Sequence, residues 1–237
     1  MRELELIYQD EALISVNKPP GLLVHPGSIA RDATDSAMQI LRDQTGSWVY
    51  PAHRIDRKTS GVLMFTKTRE ANSIVQRQFR EGTVQKSYLA IVRGFTEDSG
   101  LIDYPLKHEN GQLQQAVTEF ITLDRTEINL PSAGFPTSRY SLLLIRPQTG
   151  RFHQIRRHLA HIRHPVIGDR PHGCNKQNRL FRDYFGTMRM FLHAEQLALK
   201  HPTGGQTITL FAPPDADFSG MLKSLNFTFD IHSLQNH

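Results

Sequence analysis

The sequence predicts an α+β protein on three observations. Short β-rich runs, several with period-two alternation, recur from end to end of the 237 residues. Between them lie only a few segments with helical spacing, most bounded by a capping residue and a glycine. No internal repeat, low-complexity tract or long linker interrupts the series, so a single domain over residues 1–237 is expected.

In order along the chain, Leu4–Tyr8 and Ala12–Val16 read as strands separated by the turn-like Gln9-Asp10-Glu11. Asn17-Lys18-Pro19-Pro20-Gly21 breaks regular structure, because two prolines remove two donors and the glycine permits a tight turn. Leu22–His25 is a further short apolar piece, stopped by Pro26-Gly27. Thr34 or Asp35 caps a helix through Ala37, Met38, Ile40 and Leu41 that stops at Gly46. Thr68 caps a second helix, with Ala71, Ile74, Val75 and Phe79 on one stripe and Gly82 at its end. Val84–Phe95 alternates as a strand that places Val84, Lys86, Tyr88, Ala90 and Val92 on one face. Val117–Ile121 and Ser138–Ile145 are strands on either side of a loop around Leu130–Pro136. Phe152, Ile155, Leu159 and Ile162 form the stripe of a helix that must end before Pro165. A basic loop then carries Arg170, His172, Lys176, Arg179 and Arg182, either as solvated surface or as phosphate contacts. Met190–Leu199 and Thr207–Phe211 are the last strands, before a weak helix around Met221–Leu225.

Composition narrows the class. Hydrophobic residues at 38% and charged residues at 22% are ordinary for a soluble globular chain. A net charge of +5 and a pI near 9.5 favour a polyanionic partner. The single cysteine, Cys174, excludes an intramolecular disulfide and a multi-cysteine zinc site, and suits a reducing compartment. Glu3 and Glu5 among the first apolar residues are wrong for a signal peptide, and no apolar run approaches the ~20 residues needed to span a bilayer. A cytoplasmic protein without membrane attachment is expected.

Chemistry concentrates in three stretches. In His53-Arg54-Ile55-Asp56-Arg57-Lys58-Thr59-Ser60-Gly61 one carboxylate sits among cations just before the apolar run Val62–Phe65. Flanking cations favour an ionised carboxylate, which suits a nucleophile or base and not a general acid. The same pattern also fits an aspartate that merely ties two surface arginines together. Tyr88, beside Lys86 on one strand face, reads by itself as a core tyrosine with a satisfied hydroxyl. On a helical wheel Arg156 falls within the apolar stripe while Arg157 points away, so Arg156 either snorkels outward or needs an anionic partner. Asp56 is a natural candidate. His153, His158, His161 and His164 lack the spacing or cysteines of a zinc site and read better, interspersed with Arg157 and Arg163, as a polar surface.

These stretches resemble the RluA family of pseudouridine synthases. Residues 53–61 match its H-R-L-D-R-x-T-S-G motif except for Ile55, and residues 17–25 match N-K-P-x-G-L-x-V-H. Lys86-Ser87-Tyr88 matches K-x-Y, and Thr149–Arg156 matches T-G-R-x-H-Q-[IL]-R. Within the family, Ser138–Thr149 and Arg156–Asp169 resemble the tRNA-specific branch, although Leu106–Ala116 looks short for it. The resemblance implies a mixed, mainly antiparallel central sheet with flanking helices and a basic catalytic cleft. It implies isomerisation of uridine to pseudouridine in RNA, with Asp56, Tyr88 and Arg156 catalytic and Arg156 paired to Asp56. Arg54 would fill the gap left by a flipped nucleotide, and Arg57, Lys86, Arg151 and Arg157 would join it as RNA contacts. Neither cofactor nor metal is implied, and the expected protein is a monomer whose partner is RNA, specifically a tRNA with a target uridine in or beside the T-arm. Ribosomal RNA is the competing substrate, and a non-catalytic basic RNA-binding protein the competing class.

Overall fold

A computed structural model describes residues 3–25, 36–132 and 134–236. In chain order the first elements are β1 (Glu5–Gln9), β2 (Leu13–Lys18), α1 (Ala37–Thr45), β3 (Tyr50–Pro51), β4 (Ser60–Thr66) and α2 (Arg69–Glu81). There follow β5 (Gln85–Arg93), β6 (Ser99–Asp103), β7 (Leu106–Lys107), β8 (Leu113–Gln114), β9 (Val117–Ile128) and β10 (Ser138–Pro147). The last are α3 (Gln154–His161), α4 (Asn175–Phe185), β11 (Leu192–Lys200), β12 (Thr207–Phe211) and α5 (Ala216–Ser224). The expected mixed, mainly antiparallel sheet with flanking helices is present. The chain divides into two units, Met1–Lys86 with Ala194–Pro214, and Ser87–His193 with Asp215–His237.

In the first unit β2 pairs antiparallel with β1 and with β4, in a register that sets Leu13 opposite Thr66 and Lys18 opposite Gly61. Asp10 makes the turn between β1 and β2 by accepting the Ala12 and Leu13 N–H groups at 2.8 and 2.7 Å. Every residue of β4 is buried. Its Val62 and Met64 pack with Ala71 and Val75 of α2, the stripe that periodicity marked. Thr68 and Gly82 cap that helix as anticipated, the threonine accepting the Ala71 N–H and the glycine at φ 72°. For α1 the cap is Ser36, which accepts the Gln39 N–H. Thr34 and Asp35, anticipated in that role, lie outside the described residues, as do Pro26 and Gly27.

In the second unit β10 is central, paired antiparallel with β5 and β9, and β6 extends the order beyond β9. Both faces of β5 and β10 are buried, which is why Leu142–Ile145 is a continuous apolar run instead of an alternation. Leu89, Ile91, Leu142 and Leu144 pack with Phe181 of α4 and Phe218, Met221 and Leu222 of α5. On the other side Ala90, Val92, Leu143 and Ile145 pack with Ile155 and Leu159 of α3.

Three expectations need correction. The helix expected from Phe152 begins at Gln154, because His153 adopts a left-handed φ of 53°; Phe152 is off the helix and 60% exposed. Most of the basic stretch read as a loop is α4, ended by Gly186 at φ 68°. The terminal helix starts earlier than Met221, where Asp215 accepts the Phe218 N–H at 3.0 Å.

Candidate active site

Asp56 lies in the loop that joins β3 to β4, half-buried, with Ile55 and Thr59 buried on either side of it. Its carbonyl accepts the Thr59 N–H at 3.0 Å, closing a turn through Arg57 and Lys58. His53 fixes the loop's entry: its Nε2 accepts the Met64 N–H at 3.1 Å and its ring stacks on Phe79 at 5.1 Å. An accepting Nε2 requires a neutral imidazole, and burial followed by the nearby Lys86 charge pushes its pKa down to about 3. The motif's last residue, Gly61, has φ 108° and runs so close to β11 that an added Cβ would lie 2.1 Å from the Ala194 carbonyl oxygen. Only glycine fits there.

The other side of the loop is held by a residue whose role the sequence did not disclose. Lys18, at the end of β2, is fully buried. Its Nζ donates to the carbonyls of Pro19, Leu22 and Arg57 at 2.8, 2.9 and 3.1 Å. Gly21 reinforces the join, donating its N–H to the Arg57 carbonyl and accepting Arg57 Nε, both at 2.8 Å. The proline-rich turn after β2 and the aspartate loop are therefore one hydrogen-bonded piece. The clue was available in the alternation: Ile14, Val16 and Lys18 share a face, and the first two are buried.

Lys86 is half-buried, and burial lowers its pKa. Tyr88 is opposite Ile145 of β10, half-buried, at the margin of the cluster that includes Ile155 and Leu159 of α3. Arg156 is 5% exposed, as the wheel demanded. Fully buried Asp169 is an anionic partner, accepting Nε at 2.7 Å and Nη2 at 2.6 Å in a bidentate pair. Asn178 of α4 holds the loop around Asp169, donating to the Asp169 carbonyl at 2.6 Å and accepting the Gly168 N–H at 2.9 Å.

The Thr149–Arg156 stretch is a helix entry built on Gln154. Its Oε1 accepts Thr149 Oγ1–H and the Arg151 N–H at 2.7 and 2.9 Å, and its Nε2 donates to the Val117 carbonyl and Thr118 Oγ1, both at 3.0 Å. Arg151 is exposed, with Nε on the Gln115 carbonyl at 3.0 Å, and Arg157 is half-buried. Arg54 and Arg57 are exposed. The four histidines do not form one polar face: His158 is fully buried, its Nε2–H on the Tyr104 carbonyl and its Nδ1 on Thr118 Oγ1, both at 2.9 Å. Burial, before any other influence, lowers its pKa. With both ring nitrogens engaged it has none for a metal, and the described residues hold no group of three His, Cys, Asp or Glu poised to bind one. No helix among the described residues is long and apolar enough to cross a membrane.

Residues 12–161 match the family model described as RNA pseudouridylate synthase. A Vibrio cholerae protein named tRNA pseudouridine synthase C is 42% identical, over 94% of this chain and 96% of its own length. One of the same name from Pasteurella multocida is 43% identical, over 98% and 99%. Among solved structures, human RNA pseudouridylate synthase domain containing 1 superposes with a TM-score of 0.76 at 22% identity, covering 99% of this chain and 94% of that one. Human RNA pseudouridylate synthase domain containing 4 gives 0.72 at 24%, covering 95% and 94%, and these two likenesses speak to the fold. A half-buried aspartate on a stapled loop, followed by a glycine that the strand contact requires, thus occurs in a chain that belongs to the RNA pseudouridylate synthase family.

Proposed function

We propose that this chain isomerises a uridine of tRNA to pseudouridine, with Asp56 as the reacting carboxylate. The observation that carries the reading is 42–43% identity, across nearly the whole chain, to relatives named for that activity. The reaction breaks the bond from ribose C1′ to uracil N1, turns the detached base, and joins C1′ to C5. The C5 proton leaves and N1 takes one up, so the product is an isomer. With no redox change and no departing group, the chemistry asks for neither cofactor nor metal. Asp56 serves either by attacking C1′ or by removing a ribose proton. Arg156, itself held by Asp169, is the second charged group of the reaction. Tyr88 stacks on the uracil and takes the proton from C5 at the end. Arg54 fills the gap left by the flipped nucleotide, while Arg57, Lys86, Arg151 and Arg157 contact the RNA backbone. Residues 1–237 act as one catalytic domain in a cytoplasmic monomer.

The test is Asp56→Asn. Asparagine keeps the shape but is neither nucleophile nor base, so pseudouridine formation should be lost while tRNA binding persists. A variant within tenfold of the parent rate overturns the role of Asp56. Mapping pseudouridine after separate incubation of the parent with bulk tRNA and with protein-free ribosomal RNA tests the substrate, and modification confined to the ribosomal sample overturns the tRNA assignment.

A further inference from the structure

In the second unit α4 presents Asn178, Arg179 and Arg182 to a cavity of about 390 Å³ that Arg170, Phe181 and Met188 also line. It is at the small end of the ~300–1,000 Å³ of ligand clefts, a size for one nucleotide and too small for a stem. Its charge is one-sided. Three guanidinium groups meet one carboxylate, that of Asp183, which pairs with Arg182 at 2.7 Å on the open surface, where such a pair is weak. Among the described residues, Arg170 and Arg179 have no carboxylate within ion-pair distance. The same lining also has apolar groups: Met188 is 59% exposed, and Phe181 belongs to the core. Arginine forks suit a phosphodiester, and a thioether packs well on a ring.

We propose that this cavity is a second nucleotide site for the substrate RNA, with a phosphate on Arg170, Arg179 and Arg182 and the attached base against Met188. The assignment rests on the reading of the chain as a tRNA-modifying enzyme. Position gives the site its use. Asn178 lines the cavity and also bonds Gly168 and Asp169, the residue that holds Arg156. A nucleotide seated here is therefore set in register against Arg156, because cavity wall and ion pair are one hydrogen-bonded piece. The site selects RNAs that can place a nucleotide here when the target uridine is engaged.

The experiment compares the parent with the double variant Arg179→Ala/Arg182→Ala, and with Lys223→Ala as a charge-removal control on exposed α5 surface. Fluorescence anisotropy with labelled tRNA is recorded over a salt series. The double variant should bind at least tenfold more weakly near physiological salt, with its salt slope shallower by about 1, and Lys223→Ala should stay within twofold. In steady-state kinetics the loss should fall on KM more than on kcat. Cross-linking of 4-thiouridine-substituted tRNA to the unmutated parent, free of any folding concern, should give adducts within residues 170–188. Equal affinity and slope for parent and double variant overturn the site, and so does a cross-link map without that segment. Absence of pseudouridine from the tRNA after incubation with the parent overturns the functional reading instead, and is seen independently of either binding result.

Discussion

Asp169→Asn is the substitution with the clearest structural consequence. The two side chains of the Arg156–Asp169 pair are 6% and 0% exposed, and they meet through contacts of 2.7 and 2.6 Å. Removing one partner of a buried pair leaves the other charge without compensation and costs roughly 3–5 kcal/mol. Asparagine does worse than lose the charge, because its NH₂ either faces the guanidinium donors or swings away. For a chain of this size each kcal/mol shifts Tm by about 2–4 °C, so a fall of roughly 6–20 °C is expected. Activity should fall as well, since Arg156 would lose the contact that aims it. A double-mutant cycle with Arg156→Met separates the pair from its surroundings, and a coupling energy of at least 1 kcal/mol is expected. Arg156→Lys should recover little, because an ammonium cannot reproduce the two-point contact. A Tm within 2 °C of the parent for Asp169→Asn, or a coupling near zero, refutes the reasoning.

The other predictions concern the first unit and pH. Lys18→Met keeps the apolar stem but strands carbonyls of Pro19, Leu22 and Arg57; losing charge-assisted bonds worth ~1.5–3 kcal/mol each should lower Tm by several degrees and raise proteolysis near residues 19–22 and 54–58. Equal Tm and an unchanged digestion pattern would remove the staple from the account. His53, at about 3, and His158, lowered by burial, are neutral when folded. The unfolded chain binds more protons below its histidine pKa of about 6.5, so their contribution is complete above that pH and is lost as pH falls toward the folded values. Urea melts at pH 7.5 and 5.0 should differ by up to about 2 kcal/mol for His53, and equal midpoints would argue against the neutral assignments.

What the sequence made legible was local. Thr68, Gly82 and the Ala71/Val75 stripe specify α2 without help from the rest of the chain, and the structure has that helix. Arg156 was legible as a buried cation because helical geometry fixes which side it faces, but the pair with Asp169 was not, since that residue sits thirteen residues away across a loop whose shape no period encodes. That shape depends on Gly168, at φ 81°, where an added Cβ would lie 1.6 Å from the Arg189 carbonyl oxygen, and on Asn178 reaching back from α4. Phe152 misled because it was in register with the apolar stripe, while Gln154 draws the Thr149 hydroxyl and the Arg151 N–H to itself and His153 turns the chain before the helix starts. α4 was hidden for the opposite reason. Only Gln177 and Phe181 are buried on it, and its first turn, Asn175–Asn178, is wholly polar, so helical spacing shows only in its second half, at Leu180, Phe181, Tyr184 and Phe185.

Lys18 and Arg156 raise the same physical question in the two units. An apolar side chain of equal volume would avoid the cost of burying a charge and often leaves a fold as stable. What it cannot do is choose a direction. An ammonium that meets carbonyls of residues 19, 22 and 57 at 2.8–3.1 Å admits one shape for the turn after β2 and one approach of the aspartate loop. A guanidinium gripped at two nitrogens by Asp169 admits one orientation about its own plane. Loops held only by apolar contact would slide by more than the ~0.5 Å that a reacting constellation tolerates. The carboxylate of Asp56 stands on a loop and not on a helix or strand. On the proposal that Asp56 reacts, its precision must come from polar contacts that lock the loop, and this gives Lys18 a positioning part, although it meets only backbone in the hydrogen bonds described above.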